Sequence, residues 1–206
     1  MCFSAPVSFA TSAVLGAVGV ATLKRATPRR RLIAMIPLMF SVQQAIEGVQ
    51  WLLERPSTCS VIAGYGFLFF AFLVWPVFIP FAVWYAERIR WRRRVLLVLT
   101  GIGVTLMLYM LTVLLHEPLV ITSEGLRINY LIAAPYFSYG ATVYVLATTI
   151  SFLFSSHHPL RWFGVTSFLA ALVSWWFFQH AFTSVWCFFA AVLSIGLYWW
   201  VRKSGS

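Results

Sequence analysis

Seven long apolar runs dominate the sequence, at about 6–23, 32–53, 61–86, 95–115, 131–154, 163–182 and 184–201. A helix needs roughly 20 mostly apolar residues to cross a bilayer, and inside lipid the backbone must satisfy its own hydrogen bonds. The last two runs are divided only at Thr183 and Ser184. The runs are continuous and do not alternate in short segments, which argues against a β-barrel. Composition agrees: 61% of residues are hydrophobic and 10% charged, where a soluble domain carries about a quarter charged residues. The expected fold is all-α, a seven-transmembrane-helix bundle forming one domain over residues 1–203, with 204–206 a tail or cloning scar.

The connecting segments sort by charge. Lys24, Arg25, Arg29, Arg30 and Arg31 follow the first run, and Arg88, Arg90, Arg92, Arg93 and Arg94 follow the third. Arg161 follows the fifth, and Arg202 and Lys203 follow the seventh, which puts thirteen of the fifteen cations on one side. Arg55 and Arg127 face the other way, with Glu54, Glu117 and Glu124. The positive-inside rule then sets the N-terminus outside and the C-terminus in the cytoplasm of a cell inner (plasma) membrane. The net charge of +10 is read as a topology signal, so the lipid bilayer is the expected partner and nucleic acid is not. No basic stretch precedes the first apolar run, so no cleavable signal peptide is expected.

Packing signals are present too. Ala10, Ala13, Ala17 and Ala21 form a small-residue stripe in the first run, with Ser12 and Gly16 on an adjoining one. Small side chains let helices approach closely in lipid. Pro76 and Pro80 lie inside the third run, where each removes a backbone donor and can bend the helix.

Polar groups at membrane depth are costly unless they face protein or water. Glu47 is the only acid inside a run, and Gln43, Glu47, Gln50 and Glu54 recur at helical spacing on one face. In the sixth run Trp176, His180 and Thr183 share a face, and Ser184, Cys187, Ala191 and Ser194 make a small, partly polar stripe in the seventh. Thr105, Tyr109, Thr112 and His116 form a stripe in the fourth run, while Asn129, Tyr130, Tyr136 and Tyr139 lie around the start of the fifth. With Cys2, these groups concentrate at the outer end, so an outward-opening polar cavity is expected.

Cys2, His180, Cys187 and Glu47 are a donor set suited to zinc, with copper an alternative. Two thiolates and an imidazole leave a fourth position for Glu47 or for a water that the metal would acidify, with Glu47 as general base. Gln43, Gln50, Tyr109 and Tyr136 would then position a substrate. Plainer readings stay open. Cys2 or Cys187 can pair in a disulfide, with each other or with Cys59. His180 and Gln179 can hydrogen-bond between helices, and Glu47 can be neutral and bonded to a neighbour. His116, His157 and His158 fit loops.

The opening Met1-Cys2-Phe3-Ser4-Ala5, the Gln-Gln-x-x-Glu-Gly-x-x-Trp run at 43–51 and the Trp-Cys-Phe-Phe-Ala run at 186–190 belong together. They resemble a family of small, multi-spanning, mostly prokaryotic membrane proteins of unknown function that begin with the same five residues. The resemblance implies that Cys2, Glu47 and Cys187 are defining features, and brings no activity with it. Other seven-span families fit poorly: the only lysines, Lys24 and Lys203, lie outside the runs, so no retinal Schiff base is available. There is no Asp for a ceramidase-like zinc site, and His116 and His180 are a thin basis for haem.

Two functions are therefore expected, the first as the leading reading and the second as its alternative. One is a transition-metal site that uses metal-bound water on a small substrate. The other is a non-catalytic sensor or carrier holding a small lipid-soluble ligand, with structural cysteines.

Overall fold

The structure, a computed structural model, describes residues 4–53, 57–124, 127–133 and 137–203; the side chains of 123, 124, 127, 137–139, 180 and 203 lie outside that description. The helices are α1 (Ala5–Arg25), α2 (Arg31–Leu52), α3 (Thr58–Leu68), α4 (Trp75–Ala86), α5 (Arg90–His116), α6 (Phe137–Leu153), α7 (His158–Phe177), α8 (Phe182–Ser194) and α9 (Gly196–Lys203). Among the described residues, six segments are long and apolar enough to cross a membrane, with α3–α4 and α8–α9 each counting as one. Many large apolar side chains on them face outward, including Val98, Leu108, Leu115 and Leu169, a surface that suits lipid.

The expected fifth span, 131–154, is corrected. Helix α6 begins only at Phe137 and has 17 residues, about 25 Å at 1.5 Å per residue. Leu131 belongs instead to a hairpin of β1 (Val120–Glu124) and β2 (Arg127–Leu131), with Ile121 opposite Tyr130 and Thr122 opposite Asn129. Val120 and Leu131 face outward, and the opposite face packs Ile121 and Ile128 into a core with Phe67, Leu68 and Phe72. Tyr130 stacks on Phe67 at 4.7 Å between ring centres.

The expected sixth span, 163–182, also shifts. Helix α7 stops at Phe177, Phe178 leaves helical geometry, and Gln179–Ala181 form a single 3₁₀ turn before α8. Trp176, His180 and Thr183 therefore do not share a helix face, and Trp176 is 79% exposed.

Close approach of the first two helices uses a different stripe from the alanines. Ala10, Ala13 and Ala17 are exposed, whereas Ser8, Leu15, Gly19 and Thr22 are buried. Ser12 Oγ donates to the Ser41 carbonyl at 2.8 Å, and Ser41 Oγ returns the bond to the Ser12 carbonyl at 2.7 Å. A Cβ on Gly19 would lie 2.7 Å from the Leu38 backbone nitrogen, so only glycine permits this crossing.

The prolines act where the sequence places them. Pro76 cannot donate to the Phe72 carbonyl, and the turn before it, Phe69–Val74, is a π-helix in which Trp75 N–H reaches back to the Phe70 carbonyl.

Candidate functional site

The inward face of α2 carries the polar side chains that spacing predicts. Gln43, Gln44, Glu47 and Gln50 are all fully buried. A carboxylate or amide in such a place needs partners, and α4 and α8 supply them. Ser184 Oγ donates to Glu47 Oε1 at 2.5 Å, and Trp75 Nε1 donates to Gln43 Oε1 at 2.8 Å. The Cys187 thiol lies near the Gln43 side chain and within electrostatic reach of Glu47. Ser184, Cys187, Ala191 and Ser194 are buried together along α8, as their spacing implies.

Two aromatic hollows lie close by, and the second is bordered by Trp75 and Cys187 of this cluster. One is lined by Phe72, Pro76, Tyr109, Tyr144, Thr183 and Trp186. The second lies between Phe40, Trp75, Thr148, Ser167, Trp186 and Cys187. Tyr144 and Trp186 border both, packed edge to face at 5.1 Å. Trp186 is held by its Nε1 bond to the Ser167 carbonyl at 3.1 Å. The Ser167 hydroxyl is buried and has no hydrogen-bond partner among the described residues.

Gln43, Glu47, Gln50 and Cys187 thus lie in the buried layer where they are expected, and Tyr109 lines a neighbouring hollow. The rest of the α5 stripe does not join them. Thr105 and Thr112 are exposed and bond to the Gly101 and Tyr109 carbonyls, and His116 Nδ1 lies 2.8 Å from the Thr112 carbonyl. Asn129 and Tyr130 sit on β2 rather than on a helix. Cys2, Glu54, Tyr136 and the imidazole of His180 lie outside the described residues. Among the described residues no three His, Cys or acidic side chains gather as a metal group. Cys59 is an exposed thiol and Cys187 a buried one, not joined to each other.

Trp75, Tyr144 and Ser167 are members of this region that sequence reasoning missed. Trp75 and Tyr144 look like ordinary apolar-run aromatics, and nothing in their spacing marks the bond or the hollows they make.

Over its whole length, residues 1–206, the chain matches a family of unknown function, DUF6629. The chain belongs to that family. No curated protein and no solved structure matches it. The membership agrees with the expected resemblance as far as a family of unknown function.

Proposed function

We propose that this is a membrane-embedded binding protein, a sensor or carrier, whose buried polar cluster takes the polar end of a small lipid-soluble molecule. The observation that carries the reading is that the buried cluster of Glu47, Gln43 and Ser184 reaches an aromatic hollow through Trp75, the hydrogen-bond partner of Gln43, and through Cys187. Ligand sites of this kind are mostly apolar with a few convergent polar groups. Here the aromatics would hold the apolar body, and the carboxylate and amide would orient its head.

An organic extract of the purified protein should then contain one small molecule in near-stoichiometric amount. Glu47→Gln keeps an acceptor for Ser184 and should fold, yet retain at least about tenfold less of that molecule, since hydrogen bonds to a charged group are among the stronger ones. Equal recovery from wild type and variant, or no such molecule in wild type, overturns the reading.

A second reading rests on the nearness of Cys187 to Glu47. With Cys2 and His180 they would form a zinc or copper site of mixed thiolate, imidazole and carboxylate donors. Elemental analysis of the same samples separates the two. Stoichiometric zinc or copper, lost in Cys187→Ser, favours the metal; a metal-free protein with bound organic ligand favours the first reading.

Both readings take the cation-rich side as cytoplasmic and the membrane as the cell inner membrane, so that Glu47 opens outward. Membrane-impermeant labelling of single cysteines introduced beside Arg94 and beside Glu117 should modify only the second in intact cells. Labelling of the first would reverse the orientation.

A further inference from the structure

At the other end of α2 from Glu47, an open cleft is lined by Thr27, Arg29, Arg30, Ala86, Arg88 and His157, with about 1020 Å³ of empty space including its open mouth. Three of these residues are arginines. A purely topological role requires only that cations lie on one side of the membrane, and most of the basic residues here ask for nothing more. Arg90 and Arg94 are exposed. Arg92 donates to the Ser155 carbonyl at 2.6 Å, and Arg161 donates to that of Ser156 at 3.4 Å, so both are engaged in holding the α6–α7 connection.

Arg30 and Arg88 differ. Both line the cleft, and their like charges lie close enough to repel. The Arg30 guanidinium lies 4.8 Å from the ring centre of Trp200, itself buried, and its Nη1 is buried with no hydrogen-bond partner among the described residues. The His157 ring packs on the same indole at 5.3 Å. Trp200 thus fixes the position of two of the cleft's donors. No acid is among the lining residues; Glu87, next to Arg88 in the chain and within electrostatic reach of His157, commits its carboxylate to the backbone N–H groups of Arg88, Ile89 and Ser156. Like charges held together with an unsatisfied guanidinium N–H and no carboxylate in the lining are a site for an anion, and forked guanidinium donors match phosphate oxygens.

We propose that this cleft binds a phosphate group between Arg30 and Arg88, with Arg29 and His157 completing the ring of donors. The phosphate can be carried by a lipid headgroup or by a soluble phosphate compound, and the geometry is common to both.

The test has two arms. Detergent-solubilised protein is titrated with inorganic pyrophosphate, and protein in phosphatidylcholine nanodiscs doped with phosphatidylglycerol is assayed for retained anionic lipid by native mass spectrometry. Saturable binding in the first arm assigns a soluble phosphate; retention only in the second assigns a headgroup. In either arm Arg30→Gln/Arg88→Gln should weaken binding about tenfold or more, while Arg90→Gln/Arg94→Gln, which removes the same charge outside the cleft, changes it less than about twofold. Arg88→Gln alone, at an exposed side chain, gives the readout should the double variant fail to fold, and is expected to weaken binding severalfold. No saturable binding in either arm, or equal losses from the two double variants, overturns the proposal.

Discussion

Replacing Gly103 with alanine is expected to lower the unfolding temperature of the purified protein sharply, while alanine at Gly101 leaves it unchanged or raises it. The difference arises from the prolines of α4. Pro80 has no N–H to give to the Pro76 carbonyl, so that carbonyl is free to face the neighbouring helix. Helix α5 crosses there with Gly103, where an added Cβ would lie 2.7 Å from the Pro76 carbonyl carbon and closer still to its oxygen. The obstacle is backbone on both sides, so no side-chain rotation relieves it and the helices must separate. Overpacking of this kind typically costs about 1–3 kcal/mol, and Gly103→Val should lose the folded protein altogether. Pro76 also lines the hollow shared by Tyr109, Tyr144 and Trp186, so the separation would reach the candidate site. At Gly101 an added Cβ meets nothing within 4 Å. There alanine gains helix propensity, worth up to about 1 kcal/mol. Thermal unfolding of the two variants in one detergent decides the matter; identical curves would show that the close crossing does not hold α4 against α5.

Much of the architecture can be read from hydrophobic run length, because lipid imposes a length on every helix that crosses it. The limits of that signal are also physical. It counts apolar residues and is blind to what they pair with, so the hairpin at 120–131 escapes it: positions 120–130 fall in the connection before the expected fifth span and Leu131 inside that span, although the apolar Val120, Ile121, Ile128 and Leu131 lie on either side of Gly125 as two short strands flank a turn. The same blindness carried span six through Phe178, where the chain turns.

The polar layer was legible for a different reason. Each of Gln43, Glu47 and Gln50 would be expensive in lipid, so helical spacing alone puts them inward. Their partners were not legible. Trp75 binds Gln43 across 32 positions and Ser184 binds Glu47 across 137, and contacts that distant leave no local pattern. Small residues in α1 misled for a related reason: alanine suits both a packed face and a lipid-facing one, whereas Gly19 and the paired Ser12 and Ser41 report true contact.

Glu87 is the acid whose loss should cost the fold most. It opens the α4–α5 turn, where its sequence neighbours suggest one more charge in an Arg-rich loop, yet it is 1% exposed. Oε1 accepts the N–H groups of Arg88 and Ile89 at 2.8 and 3.0 Å, and Oε2 accepts that of Ser156 at 2.5 Å. One carboxylate therefore satisfies free donors at the start of α5 and pins the α6–α7 connection to the α4–α5 turn. Glutamine cannot replace it, because either orientation of the amide turns an N–H₂ toward a backbone N–H. Glu87→Gln should destabilise by on the order of 3 kcal/mol, from one bond lost and a buried donor left unmet. Acid provides an independent check. Burial alone would raise the carboxyl's pKa, but the N–H groups of Ile89, Ser156 and Arg88 outweigh it and hold the value below the ordinary 4.5. A folded-state value below the unfolded one means the contribution is complete above pH 4.5 and is lost as pH falls through the folded value. Wild type should accordingly lose part of its thermal stability between neutral pH and acid below 4.5, and Glu87→Gln, starting lower, should lose less over the same interval. Parallel pH profiles for the two proteins would mean that the carboxylate is not the clamp joining these loops.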